Sequence, residues 1–349
     1  MAVVGGQVTA SEYNGFVSRV NAILGIGSGQ TGYGYAISSS HVAGSGTVNI
    51  TAAQWDQLAA DINVASTHQT NAAGAMGDIQ VGNIIGADAS NTGSGSTVTR
   101  SATDTFSIDN PANNKGVNDF QDAITVIEGN AAAVDATKIA NENKLLYTTS
   151  GLTYTSTWGS GGNTGIYCEV DVTFPGGYNC KTDAGANVAA STADNRRHFF
   201  NSGGKVRIFC QIANGNGSAK DNDWITLVSN AGTIIMDRTA TTTTGSGTTT
   251  NIGFYDLTTS YQRIFTKNGS QAQYAENFLY VDAAIVGNNI VRFRVGFQDA
   301  DTGDQTGSGP PQDEAVGGDA RVNFAQTRAT GGSINMLTPT YSVVRNLGP

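Results

Sequence analysis

The sequence predicts an α+β protein: a small N-terminal helical region followed by a mainly antiparallel β-sandwich domain. Two features of the 349 residues point there. Up to about residue 143, apolar side chains recur at helical spacing; from residue 144 they alternate with polar ones in short runs bounded by turn residues. Composition agrees, because 45 glycines accompany abundant Thr, Ser and Asn, residues of strands and turns. The expected division is 1–143, a helical anchor with glycine-rich loops, and 144–349, the sandwich.

The first helix is predicted over VTASEYNGFVSRVNAIL. Thr9 is its N-cap and Glu12 stands at capping-box spacing. Tyr13, Phe16, Val17, Val20, Ile23 and Leu24 form its apolar face, and Gly25 ends it before the loop GIGSGQTGYGY. A second helix is predicted over ITAAQWDQLAADINVASTHQ, capped by Thr51, with Trp55, Leu58, Ile62 and Ala65 on one face. The two starts repeat each other: Val8-Thr9-Ala10 with Tyr13 matches Ile50-Thr51-Ala52 with Trp55. Two such units imply paired helices rather than a solenoid, which needs at least three. A third helical stretch is expected from Val117 through Ile139, broken at Gly129 and resuming in AAAVDATKIA. The intervening GADASNTGSGSTVTRSATDTFSIDN reads equally as a loop or a small hairpin.

The strand-like runs are LLYTTS, IYCEVDVTF, KVRIFCQI, WITLVS, TIIMDR, NIGFYDL, YQRIFTK, NFLYVDAAIV, NIVRFRVGF, ARVNFAQTR and TYSVVRN. Turn signals such as Gly203-Gly204, Asn214-Gly215 and Asn288-Asn289 separate them, the pattern of an antiparallel sandwich. The tract TATTTTGSGTTTN (239–251) reads as a hairpin arm or a loop.

Charged residues make up 13% of the chain, about half the usual share, so the surface is expected to rest on hydroxyls, amides and backbone. Net charge is −9 and the 19 Lys and Arg are scattered, which argues against nucleic acid and against anionic membranes as partners. The N-terminus lacks the basic and apolar regions of a signal peptide, and no run approaches the roughly 20 apolar residues of a membrane span. Cys168, Cys180 and Cys210 are odd in number and read as reduced, partly buried side chains.

Candidate chemistry is sparse. His41, His68 and His198 stand in no catalytic arrangement, and elbow, zincin and phosphate-loop motifs are missing. No catalytic residue, no cofactor and no enzyme activity is expected. Asp299, Asp301 and Asp304 in DADTGD are weak calcium candidates; the twelve-residue loop with its terminal Glu does not follow in register. Asp221 and Asp223 beside Trp224 could imitate a sugar site. Trp158, Tyr178, Trp224 and Tyr255 could supply a glycan platform, and each could equally lie in a core. The most distinctive segment is Asp194-Asn195-Arg196-Arg197-His198-Phe199-Phe200-Asn201-Ser202-Gly203-Gly204. It reads as a fold-maintaining corner or a contact site, with the aromatics as anchors, the arginines pairing with acids or a partner chain, and Asn201 bonding backbone. With Tyr13 and Trp55, residues 196–201 are the candidate interface or structural corner.

In combination, TASEYNGFVSRVNAILGIGSGQTGYG, ITAAQWDQLAADINVASTHQT and RRHFFNSGGKVRI resemble virion structural proteins of tailed bacteriophages, a group best represented in phages of cyanobacteria and other marine bacteria. The resemblance touches most of the chain and brings no catalytic residues with it. It implies a virion component made in the host cytoplasm, in the tail, neck, baseplate or a fibre, working with other virion proteins. A homo-oligomer follows from the symmetry of such parts, with a trimer as first expectation. The alternatives are a carbohydrate-binding adhesin that meets a host surface glycan, and a head decoration protein.

Overall fold

The computed structural model describes residues 8–44, 50–71, 117–160, 164–176, 181, 184–188, 194–271, 274–301, 314–331 and 334–349. Its chain forms two compact units, one from 1–140, 176–203 and 329–336, the other from 141–175, 204–328 and 337–349. The expected single boundary at 143 is therefore corrected: the helical unit also takes two later segments. Buried Ala329, Ile334 and Met336 join the apolar cluster of the helices, and Phe199 and Phe200 are buried as well.

In the helical unit, α1 (Ala10–Ile23), α2 (Ala52–Thr70) and α3 (Val117–Gly129) pack on one another. Both predicted capping boxes form. Thr9 Oγ1 accepts from Glu12 N at 3.2 Å while Glu12 Oε2 accepts from Thr9 N at 2.9 Å, and Thr51 and Gln54 repeat the exchange. The repeat has a packing purpose. Tyr13 and Trp55 occupy the same position of their helices and meet edge to face at 5.2 Å, and the Trp55 ring packs tilted against Phe120 at 4.6 Å. Val8 and Ile50, just before each cap, lean on the same cluster as hydrophobic staples. Phe120, Ile124 and Ile127 bury the predicted face of α3, and Arg19 on α1 pairs with Glu128 at 2.7 Å.

The helix does not resume after Gly129. Asp135 caps one 3-10 turn, Ala136–Lys138, by accepting from Thr137 N, and its own N–H donates to the His68 carbonyl at 2.9 Å. Ile139 then starts β1 (Ile139–Leu145). The first predicted strand, LLYTTS, supplies only the end of β1 and the single turn α4 (Tyr147–Ser150).

In the sheet unit, among the described residues, two six-stranded sheets form the predicted sandwich. One runs β1, β11 (Asp319–Ala329), β4 (Lys205–Ala213), β5 (Thr233–Met236), β6 (Thr241–Thr243), with β2 (Thr153–Tyr154) also on β11. The other runs β12 (Thr340–Gly348), β3 (Thr164–Thr173), β10 (Ile290–Asp299), β9 (Phe278–Val286), β8 (Gln262–Asn268), β7 (Thr248–Thr249). Pairings among β2 to β12 are antiparallel. Alternation makes the core: Ile166, Cys168, Val170 and Val172 of β3 and Val291, Phe293, Val295 and Phe297 of β10 are all buried. Phe293 meets Phe324 of β11 at 6.0 Å across the two sheets. The threonine tract joins them, with β6 on β5 and β7 on β8.

Two predicted strands are not strands. WITLVS lies in α6 (Ala219–Ala231), capped by Ser218, which accepts from Asp221 N at 3.1 Å. Trp224, Leu227, Val228 and Ala231 bury one helical face against β4, β8 and β9. NIGFYDL forms a 3-10 turn, Phe254–Asp256.

Candidate assembly surface

Alternation also fixes what the outer face of the second sheet carries. On β3 the residues between the core positions are Tyr167, Glu169 and Asp171; on β10 they are Arg292 and Arg294. Register sets Arg292 beside Asp171, and Arg294 between Glu169 on one side and Asp282 of β9 on the other. Arg292 holds Asp171 through two bonds of 2.7 and 2.9 Å. Arg294 reaches Glu169 at 2.7 Å, and Arg263 of β8 pairs with Asp282.

Tyrosines interleave with these ions. Arg294 lies 3.9 Å over the Tyr261 ring, Arg263 lies 4.2 Å over Tyr280, and Arg345 of β12 lies 4.0 Å over Tyr167. Tyr261 donates its hydroxyl to Glu169 at 2.7 Å. Gly296 stands between Tyr167 and Tyr280 in register, and a Cβ there would sit 2.2 Å from Tyr280 Cζ, so the glycine makes room for the ring. Burial, helped by the bond to Glu169, raises the Tyr261 hydroxyl well above its ordinary range, and burial raises Tyr280 too. The hydrogen bonds of Asp171 raise Arg292 further. Tyr261 and Tyr280 therefore keep their protons, and Arg292 its charge, over any ordinary pH.

The expectation of a surface poor in charge fails on this face. Few charges are present in the chain, but period-two placement gathers seven of them on five neighbouring strands. Each pair adds little stability, because the arginines remain partly exposed (31% for Arg294, 42% for Arg263). What the ladder provides is a row of pre-ordered guanidinium and phenol groups. Such groups lose little freedom when covered, and they are enriched where proteins meet. The row reaches the edge strand β12, where Val344 is 46% exposed. The row is written in the polar half of IYCEVDV and VRFRV, while the apolar half of each alternation marks only the core.

The residues predicted as an interface or corner lie inside the helical unit. Tyr13, Trp55, Arg196, His198, Phe199, Phe200 and Asn201 are buried, and Arg197 is half-buried. Residues 195–201 form the short helix α5, capped by Asp194, which takes both arginines: Arg196 at 2.9 Å and Arg197 at 3.6 Å. The glycine loop wraps this helix. Asn201 Nδ2 donates to the carbonyls of Gln30 and Gly32, at 3.1 and 2.9 Å, and His198 Nδ1 lies 3.0 Å from the Gly32 carbonyl. Gly34, with φ +73°, runs so close that a Cβ would fall 2.4 Å from His198 Cγ. The segment is thus held by contacts within the helical unit. Burial lowers His198, and it lowers His68, whose Nε2 lies 3.2 Å from the Ser202 carbonyl, to about 4.

The calcium candidates face a different cation. Lys220, the second residue of α6, places Nζ 2.7 Å from Asp299 Oδ2 and 3.5 Å from Asp301 Oδ2. Asp304 lies outside the described residues. Among those described, no group of three or more His, Cys, Asp or Glu is arranged to hold a metal ion. Asp221 accepts from the N–H groups of Asn216, Gly317 and Gly318, and Asp223 from those of Ser270 and Gln271. Both are occupied with loop backbone, not poised as a hydrolytic pair. Trp158 and Trp224 meet in the core at 4.9 Å and offer no platform; Tyr255 is half-buried, and Tyr178 lies outside the described residues. Cys168 and Cys210 are free thiols; burial pushes Cys168 up to about 12 and Cys210 well above the usual range, so both stay protonated. Cys180 also lies outside the described residues.

Comparison of the chain with family models, with curated proteins and with solved structures finds no match.

Proposed function

We propose that this protein is a non-enzymatic structural component of a tailed-phage virion, working through contacts with its own copies and with neighbouring virion proteins. The observation that carries the reading is the ladder of Arg263, Arg294 and Arg345 over Tyr280, Tyr261 and Tyr167, with Arg292 paired to Asp171 beside them. It is ordered before any partner arrives, three of its four arginines are paired with its own carboxylates, and it is continuous with a sheet edge. The resemblance of the helical and corner segments to virion proteins supports the same conclusion. No helix among the described residues is long and apolar enough to cross a membrane.

A host-glycan adhesin is disfavoured, because the two tryptophans that could serve a sugar are core residues. The place on the particle that fits the resemblance is the tail, neck, baseplate or a fibre. Mass spectrometry of separated heads and tails distinguishes this from a head decoration protein.

Sedimentation velocity of the purified chain tests the assembly reading. The wild type is expected to form a discrete closed oligomer, a trimer by first expectation. The double variant Arg263→Ala, Arg294→Ala is expected to dissociate at least tenfold more readily with its fold unchanged, since about 1.4 kcal/mol at the interface is a factor of ten. A monomer at every concentration, or an oligomer indifferent to both substitutions, would refute it.

A further inference from the structure

We infer that Lys220 and Asp299 condense spontaneously into an intramolecular amide, a covalent tie between the start of α6 and the end of β10. The pair is 79 residues apart in sequence, and both side chains are fully buried, with Nζ and Oδ2 in contact at 2.7 Å. This makes it unlike an ordinary ion pair of the surface. Taking both charges out of water removes most of what stabilises the ionic form, so proton transfer to the neutral amine and neutral carboxyl group becomes accessible.

The surroundings supply what condensation needs. The Gly159 carbonyl accepts from Nζ at 2.8 Å and fixes the direction of the amine. Gly159 can approach only as glycine: its φ is +75°, and a Cβ would lie 2.8 Å from Asp299 Oδ2. Asp301 Oδ2, 3.5 Å from Nζ, is a second carboxylate placed to relay a proton. Trp158, Trp224 and Phe297 flank the three contributing segments, pack within 4.9 to 6.1 Å of one another and are buried, so bulk water is kept out. The effective concentration of one group at the other is set by the fold, as in other intramolecular reactions.

The step balances without any other reagent. One proton passes directly from Nζ to the carboxyl oxygen of Asp299; Nζ then gives a second proton to Asp301 and attacks Cγ of Asp299. The Nζ–Cγ bond forms, the bond from Cγ to one carboxyl oxygen breaks, and that oxygen leaves as water with the proton returned by Asp301. An ammonium and a carboxylate become an amide and one water. Asp301 is a positioning and proton-relay residue; the atoms that join are those of Lys220 and Asp299. The remaining amide N–H still has the Gly159 carbonyl as acceptor.

Intact-mass spectrometry of the full-length chain, followed by peptide mapping, tests this. The expected mass is one water below that of the sequence, with a branched peptide joining residues 220 and 299. Asp299→Ala and Asp301→Ala are expected to return the uncondensed mass. Asp299→Asn is expected to condense again, now with loss of ammonia. A wild-type mass equal to the sequence value overturns the inference, as does a water loss mapped to other residues. Condensation that persists in Asp301→Ala removes Asp301 from the mechanism and overturns the relay. The wild-type reading stands even if a variant does not fold.

Discussion

At single positions, the helical unit depends on close contacts that leave no slack. Gly34→Ala would force a side chain into the left-handed region and against His198, so a loss of about 2 kcal/mol or more is expected by urea denaturation. Asn201→Ala removes two hydrogen bonds to carbonyls of the glycine loop and is expected to lose roughly 1–3 kcal/mol. His68 adds a pH dependence. Its folded value, about 4, lies below the ordinary 6.5, so the unfolded chain binds the extra proton. Its contribution is complete above about pH 6.5 and is lost as pH falls toward 4, by up to roughly 3 kcal/mol. A urea midpoint followed by helical circular dichroism that stays flat over that window would contradict this. None of these dependencies was legible in sequence. Residues 30–34 and 194–201 stood out as motifs, but their meeting is a tertiary event across more than 160 positions.

Among the elements, local chemistry decided what could be read. Thr9 and Thr51 announced both helices because a cap is encoded within four residues, and the aromatic one position further on announced their shared core. Thr9→Ala and Thr51→Ala are each expected to lower stability by about 1 kcal/mol. The segment behind Ser218 misled. Trp224 and Thr226 alternate as a strand would, while Trp224, Leu227, Val228 and Ala231 keep the helical period, and a run of six residues fits both. The cap settles it: Ser218 at three residues before Asp221 starts a helix, and Ser218→Ala is expected to lower stability by about 1 kcal/mol. Because Lys220 belongs to that misread element, its meeting with Asp299 and Asp301 was hidden as well. The apolar alternation of β3, β4, β9, β10 and β11 was legible in full, since antiparallel strands with one buried face write their pattern directly into sequence.

For the whole molecule, the two units carry different acid sensitivities. Glu142, held near 2 by hydrogen bonding from Arg328 against the opposing effect of burial, with Lys144 and Gln326 adding to the hold, belongs to the sheet unit. Its contribution is present above the ordinary 4.5 and is lost as pH falls toward 2. Acidification is therefore expected to weaken the helical unit first and the sheet unit second, giving two separated transitions rather than one in a pH titration of the full chain. The chain's modest charge is spent unevenly: a few acids and lysines serve internal ties, while arginines, tyrosines and carboxylates crowd one outer sheet face. Composition averages over this, which is why a surface poor in charge was expected. That uneven distribution is the physical basis for reading the molecule as a part made to be covered.

Covalent footprinting of tyrosine side chains, on the isolated chain and on purified particles containing it, asks whether that face is covered. Tyr167, Tyr261 and Tyr280 are predicted to react in the isolated chain under dissociating dilution and to be protected in the particle, while Tyr255 serves as an internal reference. Equal reactivity of the three in both settings, or particles that lack the chain altogether, would contradict the account.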